Sequence, residues 1–90
     1  MNMTQVSSNL ESALRLHQSG RLQEAERLYR EIVRDDPFDS DALHLLGVTA
    51  HQQGRNDDAA DYIFQAIAIR PTVAAFHNNL GSVYHALNRS

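Results

Sequence analysis

The chain has 90 residues, enough for one small domain near the length where a single core gives only marginal stability. Hydrophobic residues make up 42% and charged residues 21%, the balance of an ordinary globular chain and not of a disordered one. The absence of cysteine excludes disulfides, thiolate metal sites and cysteine nucleophiles, and a net charge of −3 with scattered arginines gives no reason to expect nucleic acid or an anionic membrane.

The opening MNMTQVSSNLESAL has neither a basic start nor an apolar run, so it does not read as a secretory signal. No stretch approaches the ~18 apolar residues of a membrane span, and the expected compartment is the cytoplasm. Apolar residues recurring every three or four positions predict a first helix over 5–19, which closes on HQSGR, His17 to Arg21. A second helix is predicted over 22–35. Its Glu26–Arg30 and Arg27–Glu31 pairs at i,i+4 spacing read as an exposed, salt-bridged face, and Pro37 stops the unit.

The third predicted helix, 40–53, has Asp39 as N-cap and Ala42, Leu43, Leu46, Gly47 and Ala50 along one apolar face. It closes on HQQGR, His51 to Arg55. The fourth, 56–69, has Asn56 as its expected N-cap, Asp57 and Asp58 complementing the helix dipole, and Ala59, Ile63, Ala66 and Ile67 facing inward. Ala60, Phe64 and Ala68 form a second stripe on that helix, where the second helix has Glu26, Arg30 and Arg34. The fifth helix, 74–88, offers Phe76, Leu80, Val83 and Leu87 for packing back onto the fourth, and ends in HALNR from His85.

Laid on itself with a shift of 34 residues, the chain matches Gly20 to Gly54, Arg21 to Arg55, Ala25 to Ala59, Pro37 to Pro71, Leu46 to Leu80, Gly47 to Gly81 and His51 to His85. Self-similarity at one period marks a stacked repeat array. Gly54 and Gly20 sit at turns that call for positive φ, and Asn88, their counterpart, is the next residue type to tolerate it. Gly47 and Gly81, with Ala25 and Ala59, let paired helices approach closely. A mid-helix glycine costs about 1 kcal/mol relative to alanine, which close contact must compensate.

This pattern resembles the tetratricopeptide repeat. The period, the LG of Leu46–Gly47 and Leu80–Gly81, Tyr84 three residues on, Ala25 and Ala59, and the closing Pro37 and Pro71 all fit, over about residues 6 to 90. Ser12–Ala13 in place of LG makes the first unit the least regular, as terminal repeats often are. The resemblance implies an all-α solenoid of about five antiparallel helices, a single domain over 1–90 with repeats at about 6–39 and 40–73 and a partial third at 74–90. The phrasing of LHQSGRLQEAERLYREIV, and Asn79 in HNNLG, further resemble the N-terminal repeat arms of bacterial multidomain proteins such as O-GlcNAc-transferase-like glycosyltransferases; Glu11 and Leu45 stand where the other units would carry that asparagine.

The resemblance also implies function: a module for protein–protein interaction or scaffolding that binds a peptide or protein in a concave groove lined by the first helix of each unit. Its groove positions here are Leu10, Leu14, His17 and Gln18, then Asp41, His44, Val48, His51 and Gln52, then Asn78, Ser82, His85 and Ala86. His17, His51 and His85 would form separate rungs on helices about 8–10 Å apart. Zinc needs its ligand nitrogens near 2 Å, so three such rungs cannot converge on one ion. The histidines therefore read either as a binding stripe for a long partner or as tolerated polar residues at helix ends. Asp57, Asp58 and Asp61 read as a solvated helix start. No phosphate loop, nucleophile motif or HExxH segment is present, so neither an enzyme site nor a cofactor is expected. Gly81 and Tyr84 belong to a face that a following helix would cover, which makes self-association of the chain, by end-to-end stacking or helix exchange, the alternative reading. A third is a non-catalytic arm of a larger glycosyltransferase-like enzyme.

Overall fold

The computed structural model describes residues 3–88, with side chains from residue 9 onward; Arg89, the counterpart of Arg21 and Arg55, lies outside the described residues. Five helices follow one another: α1 (Met3–Gln18), α2 (Leu22–Asp35), α3 (Ser40–Gln52), α4 (Asn56–Ile69) and α5 (Ala74–Asn88). Each packs on the next in sequence, and α3 also touches α5, giving a slab of 43 × 28 × 19 Å. It is an all-α tetratricopeptide-type solenoid, as the periodicity predicts.

The repeated pentads are helix stops. Gly20 and Gly54 hold φ of 83° and 84°, the left-handed conformation that costs glycine nothing. In the first turn the amide of Arg21 donates to the carbonyl of Leu16 at 2.9 Å and that of Gly20 to His17 at 3.1 Å. In the second, Arg55 donates to Ala50 at 2.9 Å and Gly54 to His51 at 3.0 Å. These paired bonds form a Schellman motif, which satisfies carbonyls that a helix end otherwise leaves open. The position of the glycine thus follows from the turn, in whose paired bonds histidine and arginine take part through their backbone alone. Asn88 departs from the expectation. It remains within α5, and no residue other than glycine has positive φ among the described residues.

At the other junctions, Asp39 caps α3 as expected, its Oδ1 accepting from the Ala42 amide at 3.0 Å. Asn56 does not cap α4. The cap position is Arg55, which offers no side-chain bond, and the Asn56 side chain is drawn to His51 instead.

Two buried clusters form the core. Ala13, Ala25, Tyr29 and Leu46 join α1, α2 and α3, while Leu43, Ala50, Ala59, Ile63, Ala66, Phe76, Leu80 and Val83 join α3, α4 and α5. Full burial of a side chain the size of Leu or Phe contributes about 1.5–3 kcal/mol, so Phe76 and Leu43 anchor the second cluster. Gly47 has the packing role expected of it: a Cβ there would lie 2.6 Å from Ile63 Cγ1 and 3.1 Å from the Ala59 carbonyl oxygen. Gly81, at the same register, would meet nothing within 4 Å.

The expected exposed face on α2 is corrected at one residue. Glu26 is only 4% exposed. Its carboxylate accepts from Arg30 at 2.7 Å, from Gln53 Nε2 at 3.0 Å and from Arg55, so it ties α2 to the turn between α3 and α4. Burial opposes its ionisation, but the Arg55 and Gln53 hydrogen bonds and the Arg30 and Arg55 charges outweigh that, and its pKa falls below the usual 4.5.

Candidate functional site

The first helices of the units, α1, α3 and α5, lie side by side, and polar side chains link them. His17 on α1 reaches Gln52 on α3, with Nε2 and Oε1 2.6 Å apart. His44 on α3 reaches Asn79 on α5, with Nε2 and Nδ2 2.6 Å apart. Both bridges span 35 residues, one repeat plus one position. The face they define is the one on which the groove residues were expected.

Partners fix the protonation of each imidazole. Gln52 Oε1 can only accept, so His17 donates from Nε2, and its Nδ1 accepts the hydroxyl of Tyr29 at 3.0 Å. Tyr29 is fully buried, which pushes its phenol up to about 12. His51 has the opposite arrangement. Its Nδ1 donates to Asn56 Oδ1 at 2.6 Å, leaving Nε2 as an acceptor with no partner among the described residues. His44 accepts at Nε2 from the Asn79 amide and packs its ring 4.6 Å from that of Phe76. Burial lowers its pKa, and the Asp41 carboxylate offsets only part of that.

Sequence repeat explains the reversal. Leu22 stands where Asn56 does, so His17 has no carboxamide beside the turn; Ile63 stands where Tyr29 does, so His51 has no hydroxyl below it. The same shift places Ala86 at the position of Gln52. With so short a side chain there, the space between α3 and α5 is an open depression of about 780 Å³ lined by His51, Asn78, Gly81, Ser82, His85 and Ala86.

The expected groove residues therefore fall into groups. His51, Asn78, Ser82 and His85 come together around the depression. His17, Gln52 and His44 spend their polar atoms on bridges within the chain. Asp41 lies 3.8 Å from Arg70 in an exposed ion pair. Leu14, Gln18 and Val48 lie on the same stripe, outside those bridges. Sequence reasoning missed Tyr29, Asn56 and Asn79 as the histidines' partners. The signal was available for Asn56 and Asn79, as polar residues standing where the preceding unit has Leu22 and Leu45. Outside the lining of the depression, to which Gly81 belongs, exposed Phe64 and Tyr84 stack edge to face with centroids 6.0 Å apart. No group of three His, Asp or Glu side chains is arranged to hold a metal ion among the described residues.

Comparison with known proteins bears on the family and the fold. The family model for the tetratricopeptide repeat matches residues 10–74. A variant of the Thermobaculum terrenum O-GlcNAc transferase superposes with a TM-score of 0.86 at 31% identity, covering 92% of this chain and 16% of that one. A variant of MamA superposes with a TM-score of 0.85 at 24% identity, covering 94% of this chain and 62% of that one, a likeness of fold. The chain thus spans less than two thirds of either protein.

Proposed function

The chain belongs to the tetratricopeptide repeat family, and from that premise we propose that it binds an extended segment of a protein partner along the face shared by α1, α3 and α5. The fold is that of an interaction or scaffolding unit. The observation behind the finer reading is the depression between α3 and α5, where His51, Asn78, Ser82 and His85 offer unlike hydrogen-bonding groups within one open space. Leu14, His17, Gln18, Asp41, His44, Val48 and Gln52 extend the surface along α1 and α3. An extended peptide has a donor and an acceptor at every residue, which suits such a stripe. The chain acts as one domain, with repeats at about 6–39, 40–73 and 74–90, and catalyses nothing itself.

The test is a titration of the 15N-labelled chain with decapeptides selected on it from a random library. Shifts concentrated at Asn78, Ser82 and His85, with binding weakened about tenfold by Asn78→Ala, support the reading. Shifts confined to α2 and the outer face of α4, with Asn78→Ala binding normally, overturn it.

A second reading rests on a separate observation, the exposed Phe64–Tyr84 pair beside the uncovered Gly81. In it this face receives a helix from a second copy. Tyr84→Glu then disperses oligomers, whereas a monomer at every concentration in sedimentation removes the reading. The match to the Thermobaculum terrenum O-GlcNAc transferase favours a third context, a non-catalytic arm of a larger enzyme, which the length of the full gene decides.

A further inference from the structure

Between α1 and α3 the carboxamide of Gln52 fills the space beside His17 and bonds to its ring. One repeat later the ring is His51, the residue in place of the glutamine is Ala86, and the space is the open depression. The pocket is therefore what is left when the glutamine of a repeated bridge is taken away.

The hydrogen-bonding character of the pocket is set by its surroundings. Asn56 accepts from His51 Nδ1, so Nε2 keeps a lone pair on a ring that lines the opening. Ser82 donates its hydroxyl to the Asn78 carbonyl at 3.3 Å, so its oxygen also presents lone pairs. The Asn78 side chain supplies both a donor and an acceptor, the His85 ring can supply either, and no arginine, aspartate or glutamate lines the space among the described residues. A carboxylate could accept from Asn78 and His85 but would face the lone pairs of His51 Nε2 and Ser82, with no cation among the described lining residues to offset them. An aliphatic side chain would bury those acceptors without a donor, which costs more than the contact returns. A primary carboxamide fits both demands, with its NH2 for His51 Nε2 and Ser82 and its carbonyl for Asn78.

We propose that the depression between α3 and α5 is a specificity pocket for a glutamine or asparagine side chain of the extended partner peptide, which takes the place that Gln52 takes one repeat earlier. The inference rests on the groove-binding reading and adds which side chain the groove selects.

The experiment uses the full chain and decapeptides selected on it from a random library, with affinities from fluorescence anisotropy. Selected peptides should share one carboxamide residue, and replacing it by Glu or Leu should weaken binding about fivefold or more, the effect of one or two hydrogen bonds. Ala86→Gln should rebuild the internal bridge to His51 and weaken the carboxamide peptide equally, while costing its Leu-substituted version little further. Ala86→Leu fills the same space without a bridge and should act likewise, so the test survives if either variant folds poorly. Binders that move Asn78 and Ser82 yet show no carboxamide preference overturn this proposal and leave groove binding intact. A library that yields no binder, or binders mapping only to α2, overturns both.

Discussion

The junction between the first and second units is locked by polar side chains around Glu26 and between His17 and Gln52. The junction between the second and third, by contrast, is apolar around Ala60, bridged by His44 and Asn79, and open beside His51. Glu26 is buried under Gln53 and Arg55 at the first junction; its counterpart at the second is Ala60, in the core cluster against which Leu87, the counterpart of Gln53, also packs. On the groove side, Leu10 and Leu45 pack on the first cluster where His44 and Asn79 bridge at the second. The two junctions are thus stabilised by different chemistry, and the open depression lies at the second.

Exchanging residues between junctions tests this contrast. The largest effect is expected from Glu26→Ala, which strips Gln53 and Arg55 of a buried acceptor and should cost about 2 kcal/mol in urea unfolding, the partial exposure of the arginines moderating the loss. Adding Gln53→Leu copies the second junction and should restore part of it. Gly47→Ala should cost about 1–2 kcal/mol net, because the new methyl meets Ile63 and the Ala59 carbonyl more than it helps the helix. Asn79→Leu leaves a half-buried His44 nitrogen without its donor and should cost about 1 kcal/mol, whereas the pair His44→Leu with Asn79→Leu copies Leu10 and Leu45 and should recover most of that.

Acid should act on the two junctions in turn. The folded chain holds His44 below its ordinary value of 6.5, so the unfolded chain binds that proton more readily. Its contribution is complete above 6.5 and declines as pH falls below it. Glu26, held below 4.5, contributes stability above that value and loses it on further acidification. Melting curves against pH should show the earlier loss vanish in His44→Leu and the later one in Glu26→Ala. The smallest effect belongs to Gly81→Ala, which meets no neighbour and should stabilise α5 by up to about 1 kcal/mol.

What was legible in the sequence follows from locality. The turn glycines and the Asp39 cap depend on neighbours within one turn, the 34-residue period shows as plain self-similarity, and all stand in the structure. The burial of Glu26 was not legible, because i,i+4 spacing finds Arg30 and is blind to Arg55 on the far side of the junction. Asn56 looked like a cap by position, yet a histidine five residues earlier competes for its oxygen and wins. The histidines recur at one place before each turn, while their partners change from unit to unit. That is why the repeat alone could not separate a bridge from an open site.

The most direct test of the contrast is the tautomer of each imidazole, read from two-bond 1H–15N correlations at about pH 8, where an ordinary imidazole is neutral. The two junctions predict opposite outcomes: His17 carries its proton on Nε2, His51 on Nδ1, and of the two His51 shifts more when a bound peptide enters the groove. The same tautomer at both, or a peptide that perturbs His17 and leaves His51 untouched, would contradict the account.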